Sequence, residues 1–252
     1  MRRIIYKQGE AILDEGIFFG KGVFETILFL EKPIFLKEHI ERLKSGMEKL
    51  GLEELEEEML LDYISLNFTK NKGVKVLVTP KNIIITEREI PYKKEDYIRG
   101  SSLKLSKVIR NSTSLLSYVK STNYIENIIE KNKANKEGFK DTLFLNEKGY
   151  VTETSCANIF IVKNNKIYTP KISCGLLNGI IRMWVVKTFS VIETELTLED
   201  IKNADEIFLT NSLMGIMKVN RFEDKNYKNS DIIKSVEKAY KMEIEKQEGA
   251  NS

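Results

Sequence analysis

Apolar positions along this chain repeat with the strand period in short runs and with the helical period in longer ones. Residues 4–6 (Ile-Ile-Tyr) and 23–29 (Val-Phe-Glu-Thr-Ile-Leu-Phe) have the composition of strands, and Glu31-Lys32-Pro33 reads as a turn. From 37 to 50, Ile40, Leu43, Met47 and Leu50 recur at helical spacing, and Gly51 ends the helix. A second amphipathic helix is predicted over 54–67, through Leu55, Met59 and Ile64. Residues 74–78 and 83–86 are predicted to pair around a Thr-Pro-Lys-Asn turn.

The second half is more broken. Residues 101–117 are rich in serine and lysine, with Leu103, Leu105 and Val108 alternating early, so a strand followed by an interdomain connection is predicted. Residues 124–135 read as a helix with Ile125, Ile128 and Ile129 on one face. Short strands follow at 142–145, 150–154 and 159–162, and Asn164-Asn165 suits a hairpin turn before Ile167-Tyr168. Residues 180–189 read as helix, 206–210 as strand and 230–246 as a closing helix. The mixture predicts an α+β fold with two unequal lobes.

Composition narrows the classes. A chain of 252 residues can build one large domain or two modest ones. Basic and acidic residues nearly balance, 40 against 37, and a scattered net charge of +3 argues against nucleic acid. Cys156 and Cys174 are too few for a disulfide framework or a zinc site. The N-terminus turns polar too soon for a signal peptide, and no apolar run has the length of a membrane span, so the chain reads as cytoplasmic. His39 is the single histidine, which removes most histidine triads and histidine metal clusters and leaves lysines and carboxylates as candidate bases.

Two residues stand out as a pair. A lysine forms a Schiff base with an aldehyde only as the neutral amine, and Lys120 follows the apolar run Leu115-Leu116-Ser-Tyr-Val119, whose reading as a strand end would desolvate it. Glu153 shares a strand face with Val151, predicted to point inward. A carboxylate there needs either a cationic partner or backbone donors, and beside a pyridine nitrogen it would keep that nitrogen protonated. Taken singly, these are also what a surface lysine and an ordinary strand glutamate look like. Asn178-Gly179-Ile180-Ile181-Arg182 leads into an apolar helix whose free amides would suit an anion, with Arg42 as a second anchor. Thr210-Asn211-Ser212 ends a strand with small hydrogen-bonding side chains. Gly20-Lys21-Gly22 lacks the third glycine and the following helix that a dinucleotide fingerprint needs.

Five ordered segments together resemble the class IV aminotransferase family of pyridoxal phosphate enzymes. They are Phe18-Phe19-Gly20-Lys21-Gly22-Val23-Phe24-Glu25-Thr26, His39-Ile-Glu-Arg42-Leu43, Lys120-Ser-Thr-Asn-Tyr124, Glu153-Thr-Ser-Cys-Ala-Asn158 and Asn178-Gly-Ile-Ile-Arg182. The chain departs from the family pattern at Lys21, where aspartate is usual, at Ile181, where threonine is common, and at Lys218, where proline is usual. The resemblance implies the two-domain fold of D-amino acid aminotransferase-like enzymes, with a smaller domain over 1–110, a connection over 111–119 and a larger cofactor-binding domain over 120–252. It implies pyridoxal 5'-phosphate at the domain interface of a homodimer, with no metal. It gives Lys120 the roles of anchor and base, places Tyr124 and Glu153 against the ring, and assigns Arg42, Gly179, Ile180, Ile181, Asn211 and Ser212 to the cofactor's phosphate side.

Within the family, Asn178-Gly179 and the segment 210–216 resemble 4-amino-4-deoxychorismate lyases, whereas aminotransferases usually have proline before that glycine. The reaction so implied yields 4-aminobenzoate and pyruvate from a small-molecule amine. An aminotransferase of branched-chain or D-amino acids would share every cofactor residue and differ only on the substrate side, for which Thr26 and Tyr92 are candidates. A binding protein that has kept the fold is the reading from another class.

Overall fold

A computed structural model describes residues 1–67, 70–228 and 231–249, in which the chain divides into two units. Ser230, expected to start the last helix, lies outside the described residues. The first unit holds Met1–Pro91, Val119–Asn123 and the chain from Ile244 onward; the second holds Tyr92–Tyr118 and Tyr124–Glu243.

The first unit contains β1 (Arg3–Tyr6), α1 (Glu15–Phe19), β2 (Val23–Phe29), α2 (Leu36–Lys49), α3 (Glu57–Asn67), β3 (Lys72–Val78) and β4 (Asn82–Arg88). The strands order β1-β4-β3-β2, with β2, β3 and β4 antiparallel in sequence and β1 parallel to β4. Strand periodicity gives the sheet two distinct faces. Val23, Ile27, Val74, Val76, Val78, Ile83 and Ile85 pack on Ile40, Leu43 and Met47 of α2 and Leu60 and Ile64 of α3. Glu25 lies on that same inward face, between Val23 and Ile27. The opposite face carries Phe24, Thr26, Lys75 and Leu77, with Phe24 paired to Leu77 and Thr26 to Lys75. Helix α3 starts three residues later than predicted because buried Arg2 donates to the Glu53 and Glu54 carbonyls and to the Glu56 carboxylate, holding that stretch as a loop.

The second unit contains α4 (Lys94–Arg99), β5 (Ser101–Arg110), α5 (Ile125–Lys136), β6 (Asp141–Asn146), β7 (Val151–Thr154), β8 (Asn158–Lys163), β9 (Lys166–Pro170), α6 (Ile180–Thr188), β10 (Val191–Thr194), α7 (Leu198–Lys202), β11 (Glu206–Asn211), β12 (Gly215–Phe222), β13 (Lys225–Asn226) and the first part of α8 (Asp231–Gly249). Among the described residues the sheet runs β10-β9-β8-β11-β12-β5-β6-β7, with β13 beside β12. Its core includes Leu143, Val151, Ile159, Ile161, Ile207, Leu209 and Met217.

Two sequence expectations change here. The expected division at 110 differs from the two units, because β5 pairs with β6 and β12 in the large sheet while Val119–Asn123 belongs to the first unit. Residues 115–118 form a short helical turn and not a strand, with Leu115 and Leu116 exposed; Ser117 Oγ donates to the Asn111 carbonyl and Tyr118 OH to the Ser112 carbonyl, curling the backbone. The apolar stripe of α5 faces outward, since Ile125, Ile128 and Ile129 are exposed while Asn127, Glu130 and Ala134 are buried. Strand β12, absent from the sequence reading, sits centrally between β11 and β5.

Candidate active site

In the first unit the Lys120 segment is seated on the two glycines of Gly20-Lys21-Gly22. Gly20 has φ 69°, in the left-handed region, and a Cβ there would lie 2.7 Å from Asn123 Oδ1. The Thr122 hydroxyl donates to the Gly20 carbonyl at 2.7 Å, the Thr122 amide to Gly22 O at 2.9 Å, and the Phe24 amide to Lys120 O at 2.9 Å. These bonds bring Lys120 Nζ to 4.5 Å from the centre of the Phe24 ring. Half-buried Lys120 thus rests on an aromatic ring of β2, not on a preceding apolar strand. Lys21, at the family's usual aspartate position, forms an outward ion pair with Glu15.

Arg42 is no surface arginine. Its Nε and Nη2 each donate at 2.7 Å to the two carboxylate oxygens of buried Glu25, a two-point pair. His39 Nδ1 lies 2.7 Å from Glu25 Oε2. Burial alone would raise the Glu25 carboxyl, but the guanidinium and imidazole hold it far below the usual range. Burial lowers the His39 imidazole, outweighing the pull of a carboxylate that Arg42 already neutralises. Glu25 and His39 were not picked out as site residues from sequence. A glutamate at an inward position of an otherwise apolar strand was the available signal.

In the second unit Glu153 lies one residue before the end of β7, and its Oε2 accepts from Asn158 Nδ2 at 3.1 Å and from the Leu177 amide at 3.3 Å. Asn158 also donates to the Leu177 carbonyl at 2.8 Å. A Cβ on Gly179 would fall 2.0 Å from Asn158 Oδ1, so only glycine leaves Asn158 in place. Helix α6 starts at Ile180 with Gly179 as its cap and no side chain bonded over its amino end, leaving the first amides available to an anion. Arg182 braces this turn: Nη1 donates to Asn178 Oδ1 at 3.0 Å, and Nη2 donates to the Pro170 carbonyl and pairs with Glu193.

Tyr124, at the start of α5, donates its hydroxyl to the Ser155 carbonyl at 2.6 Å, and burial raises the phenol well above its ordinary value. Asn211 donates to Tyr92 OH at 3.0 Å and to the Cys156 carbonyl, while its Oδ1 accepts the Leu213 and Met214 amides. Its amide therefore shapes the turn that contains Ser212, and Tyr92 is half-buried against it. Burial also pushes the Cys156 thiol up to about 11, away from nucleophile behaviour. Thr210 is paired with Asn158 across β11 and β8, and its buried hydroxyl has no hydrogen-bond partner among the described residues.

Thus Thr26, Arg42 and Lys120 belong to the first unit, and Tyr92, Tyr124, Glu153, Gly179, Ile180, Ile181, Asn211 and Ser212 to the second. Each unit offers donors of its own: in the first, a lysine amine of the kind an aldehyde takes; in the second, a carboxylate braced by amides, an open helix start backed by a glycine with no room for a side chain, and an orphaned threonine hydroxyl, which suit a protonated ring nitrogen and a phosphate. No cluster of metal-ligating side chains and no helix long and apolar enough to cross a membrane occurs among the described residues.

Residues 22–222 match the amino-transferase class IV family. A Methanocaldococcus jannaschii protein provisionally named a branched-chain-amino-acid aminotransferase is 31% identical, over 88% of this chain and 85% of its own length. The Bacillus subtilis aminodeoxychorismate lyase is 28% identical, over 92% of this chain and 88% of its own. The crystal structure of a Legionella pneumophila protein provisionally named 4-amino-4-deoxychorismate lyase superposes with a TM-score of 0.86 at 30% identity, covering 96% of this chain and 99% of that one. With the two-domain α+β architecture and the ordered segments around Lys120 and Glu153, this chain belongs to the class IV aminotransferase family of pyridoxal phosphate-dependent enzymes.

Proposed function

We propose that this enzyme is a 4-amino-4-deoxychorismate lyase, releasing 4-aminobenzoate and pyruvate. The observation that carries the reading is the turn before α6. Asn178 stands where family aminotransferases usually have proline, and Arg182 holds its side chain at 3.0 Å. The coverage of both lyase-named relatives supports it.

When bound, pyridoxal phosphate supplies an aldehyde for the substrate amine and a pyridinium ring that accepts an electron pair. Lys120 is the residue that would anchor it, and its amine would take the proton from the amine-bearing carbon of the substrate. In the net reaction that C–H bond and the C–O bond to the enolpyruvyl group break, the carbocycle becomes aromatic, and the leaving enolate takes up a proton to give pyruvate. Aromatisation drives the reaction, so the protein's share is orientation and proton transfer. Glu153, braced by Asn158 and Leu177, would hold the proton on the pyridine nitrogen. Arg42 and the Gly179, Ile180 and Ile181 amides would hold the phosphate, with Ser212 and Asn211 on the turn beyond Thr210. Tyr124 would stand beside the ring.

The aminotransferase reading is favoured by the 31% identical relative. Supplying aminodeoxychorismate to the holoenzyme separates the two. Equal amounts of 4-aminobenzoate and pyruvate are expected. Rapid amino transfer from an amino acid to 2-oxoglutarate, with no 4-aminobenzoate formed, would sink the lyase reading. A homodimer is proposed on the family's pattern, supported by the exposed side chains Ile125, Ile128 and Ile129 of α5.

A further inference from the structure

Four buried threonines of the second unit donate their hydroxyls to backbone carbonyls: Thr142 to Lys104 at 3.1 Å, Thr152 to Phe144 at 3.2 Å, Thr154 to Ala157 at 3.0 Å and Thr169 to Ile159 at 2.8 Å. Thr210, 1% exposed, does not, and its hydroxyl has no hydrogen-bond partner among the described residues. A buried hydroxyl left unpaired is unfavourable, so the position calls for an acceptor from outside the chain. Its neighbours indicate where that acceptor would lie. Opposite residues of an antiparallel pair raise their side chains on one face, and Thr210 stands opposite Asn158. Asn158 reaches Gly179, the cap of α6, and its Oδ1 fills the space a Cβ there would need. Thr210 therefore stands on the face of the sheet on which α6 begins. Two residues along on that same face, Phe208 and Phe160 stack with ring centres 4.8 Å apart, both fully buried, and keep this floor dry.

We propose that Thr210 is a further phosphate-binding residue, its hydroxyl donating to an oxyanion held on the uncapped amides of α6; this rests on the assignment of that turn to the cofactor's phosphate. Helix amides attract any anion, whereas a phosphate has oxygens enough to take the amides and a hydroxyl together. The side chain is β-branched, so its χ1 is restricted before the anion arrives and little ordering is needed on binding. Donation to a charged oxygen also relieves the unpaired burial, which ties the hydroxyl to the loaded state and not to the fold. Thr210 acts on the phosphate and leaves the ring alone. It bears on which form of the cofactor is retained, and it is indifferent to whether elimination or amino transfer follows.

The test titrates the full chain, freed of cofactor, with pyridoxal phosphate and with pyridoxal, which has the same ring and aldehyde but no phosphate. The wild type should prefer pyridoxal phosphate. Thr210→Val keeps the branched shape without the hydroxyl; it should weaken pyridoxal phosphate about tenfold and leave pyridoxal unchanged, and Thr210→Ser should restore the preference. The thermal midpoint of the cofactor-free protein separates this from a structural role. Removing an unpaired buried hydroxyl should leave that midpoint in Thr210→Val equal to or above the wild type's. A lowered midpoint, equal weakening of both ligands, or unchanged affinity for pyridoxal phosphate would overturn the proposal. A wild type that binds both ligands alike would remove the phosphate assignment of the α6 turn and Thr210 with it, whereas a phosphate preference that survives in Thr210→Val removes Thr210 alone. Formation of 4-aminobenzoate, measured in parallel, judges the lyase reading separately.

Discussion

The Glu25 carboxylate grips the Arg42 guanidinium at two points, each bond 2.7 Å long, from a strand position that is otherwise apolar. The pair fixes the plane of an arginine that would otherwise sample many rotamers, so an anion would meet a pre-oriented partner. Removing one partner of a buried pair leaves the other charge uncompensated. Glu25→Gln should therefore lower folding stability by about 3 kcal/mol in urea unfolding. It should also raise the dissociation constant for pyridoxal phosphate about tenfold, the equivalent of ~1.4 kcal/mol. Unchanged cofactor affinity would show that Arg42 does not need this orientation.

The same cluster sets an acid response. His39 is held below its ordinary 6.5, so the unfolded chain takes up its proton first and stability falls as the pH drops below that value. Glu25 is held below its ordinary 4.5, so a second loss begins as the pH falls past that point. Both terms act in one direction. Thermal unfolding of the apoprotein should show a midpoint declining from pH 6.5 to 5. His39→Gln should flatten that interval and keep the loss below 4.5. A midpoint independent of pH from 7 to 5 in the wild type would contradict a buried neutral imidazole.

Gly179→Ala puts a methyl group 2.0 Å from Asn158 Oδ1, and Asn158 cannot yield without releasing Glu153. Strain of this kind destabilises by about 1–3 kcal/mol. The variant should also retain cofactor poorly on dialysis. Adding Asn158→Ala should relieve the strain but not the cofactor loss, because the brace on Glu153 is then gone. Stability and cofactor retention equal to wild type in Gly179→Ala would show that the turn has more slack than its geometry indicates.

Exposed isoleucines on α5 make a third kind of prediction. The holoenzyme should sediment at about twice the chain mass of 29.1 kDa. Ile125→Glu combined with Ile128→Glu should shift it toward that of a single chain. A wild-type monomer at micromolar concentration would remove the homodimer from the account.

Much of this was legible in the residues, for reasons that differ by element. β2 and α2 could be read because a single face of each meets the core, so their periods survive intact. α5 could be read as a helix with one apolar face, but its period does not say which way that face points: the stripe is exposed, and the inward face carries Asn127 and Glu130, which are bonded to Ser155 and Ser106. The turn at 115–118 was hidden because Leu115 and Leu116 look like strand residues, while serine and asparagine bonds that no period reports curl the backbone. Among candidate site residues, Lys120, Glu153 and Gly179 were picked out through their ordered segments. Glu25 and Thr210 were not, since what marks them lies in their surroundings: a guanidinium, and burial without a partner for the hydroxyl.

The lysine on which the account turns can be identified directly. Borohydride reduction of the holoenzyme, followed by peptide mass mapping, should place the pyridoxyl group on Lys120 and nowhere else, and Lys120→Ala should take up none. A label on Lys75 or another lysine, or no label in a protein loaded with pyridoxal phosphate, would contradict the site described above.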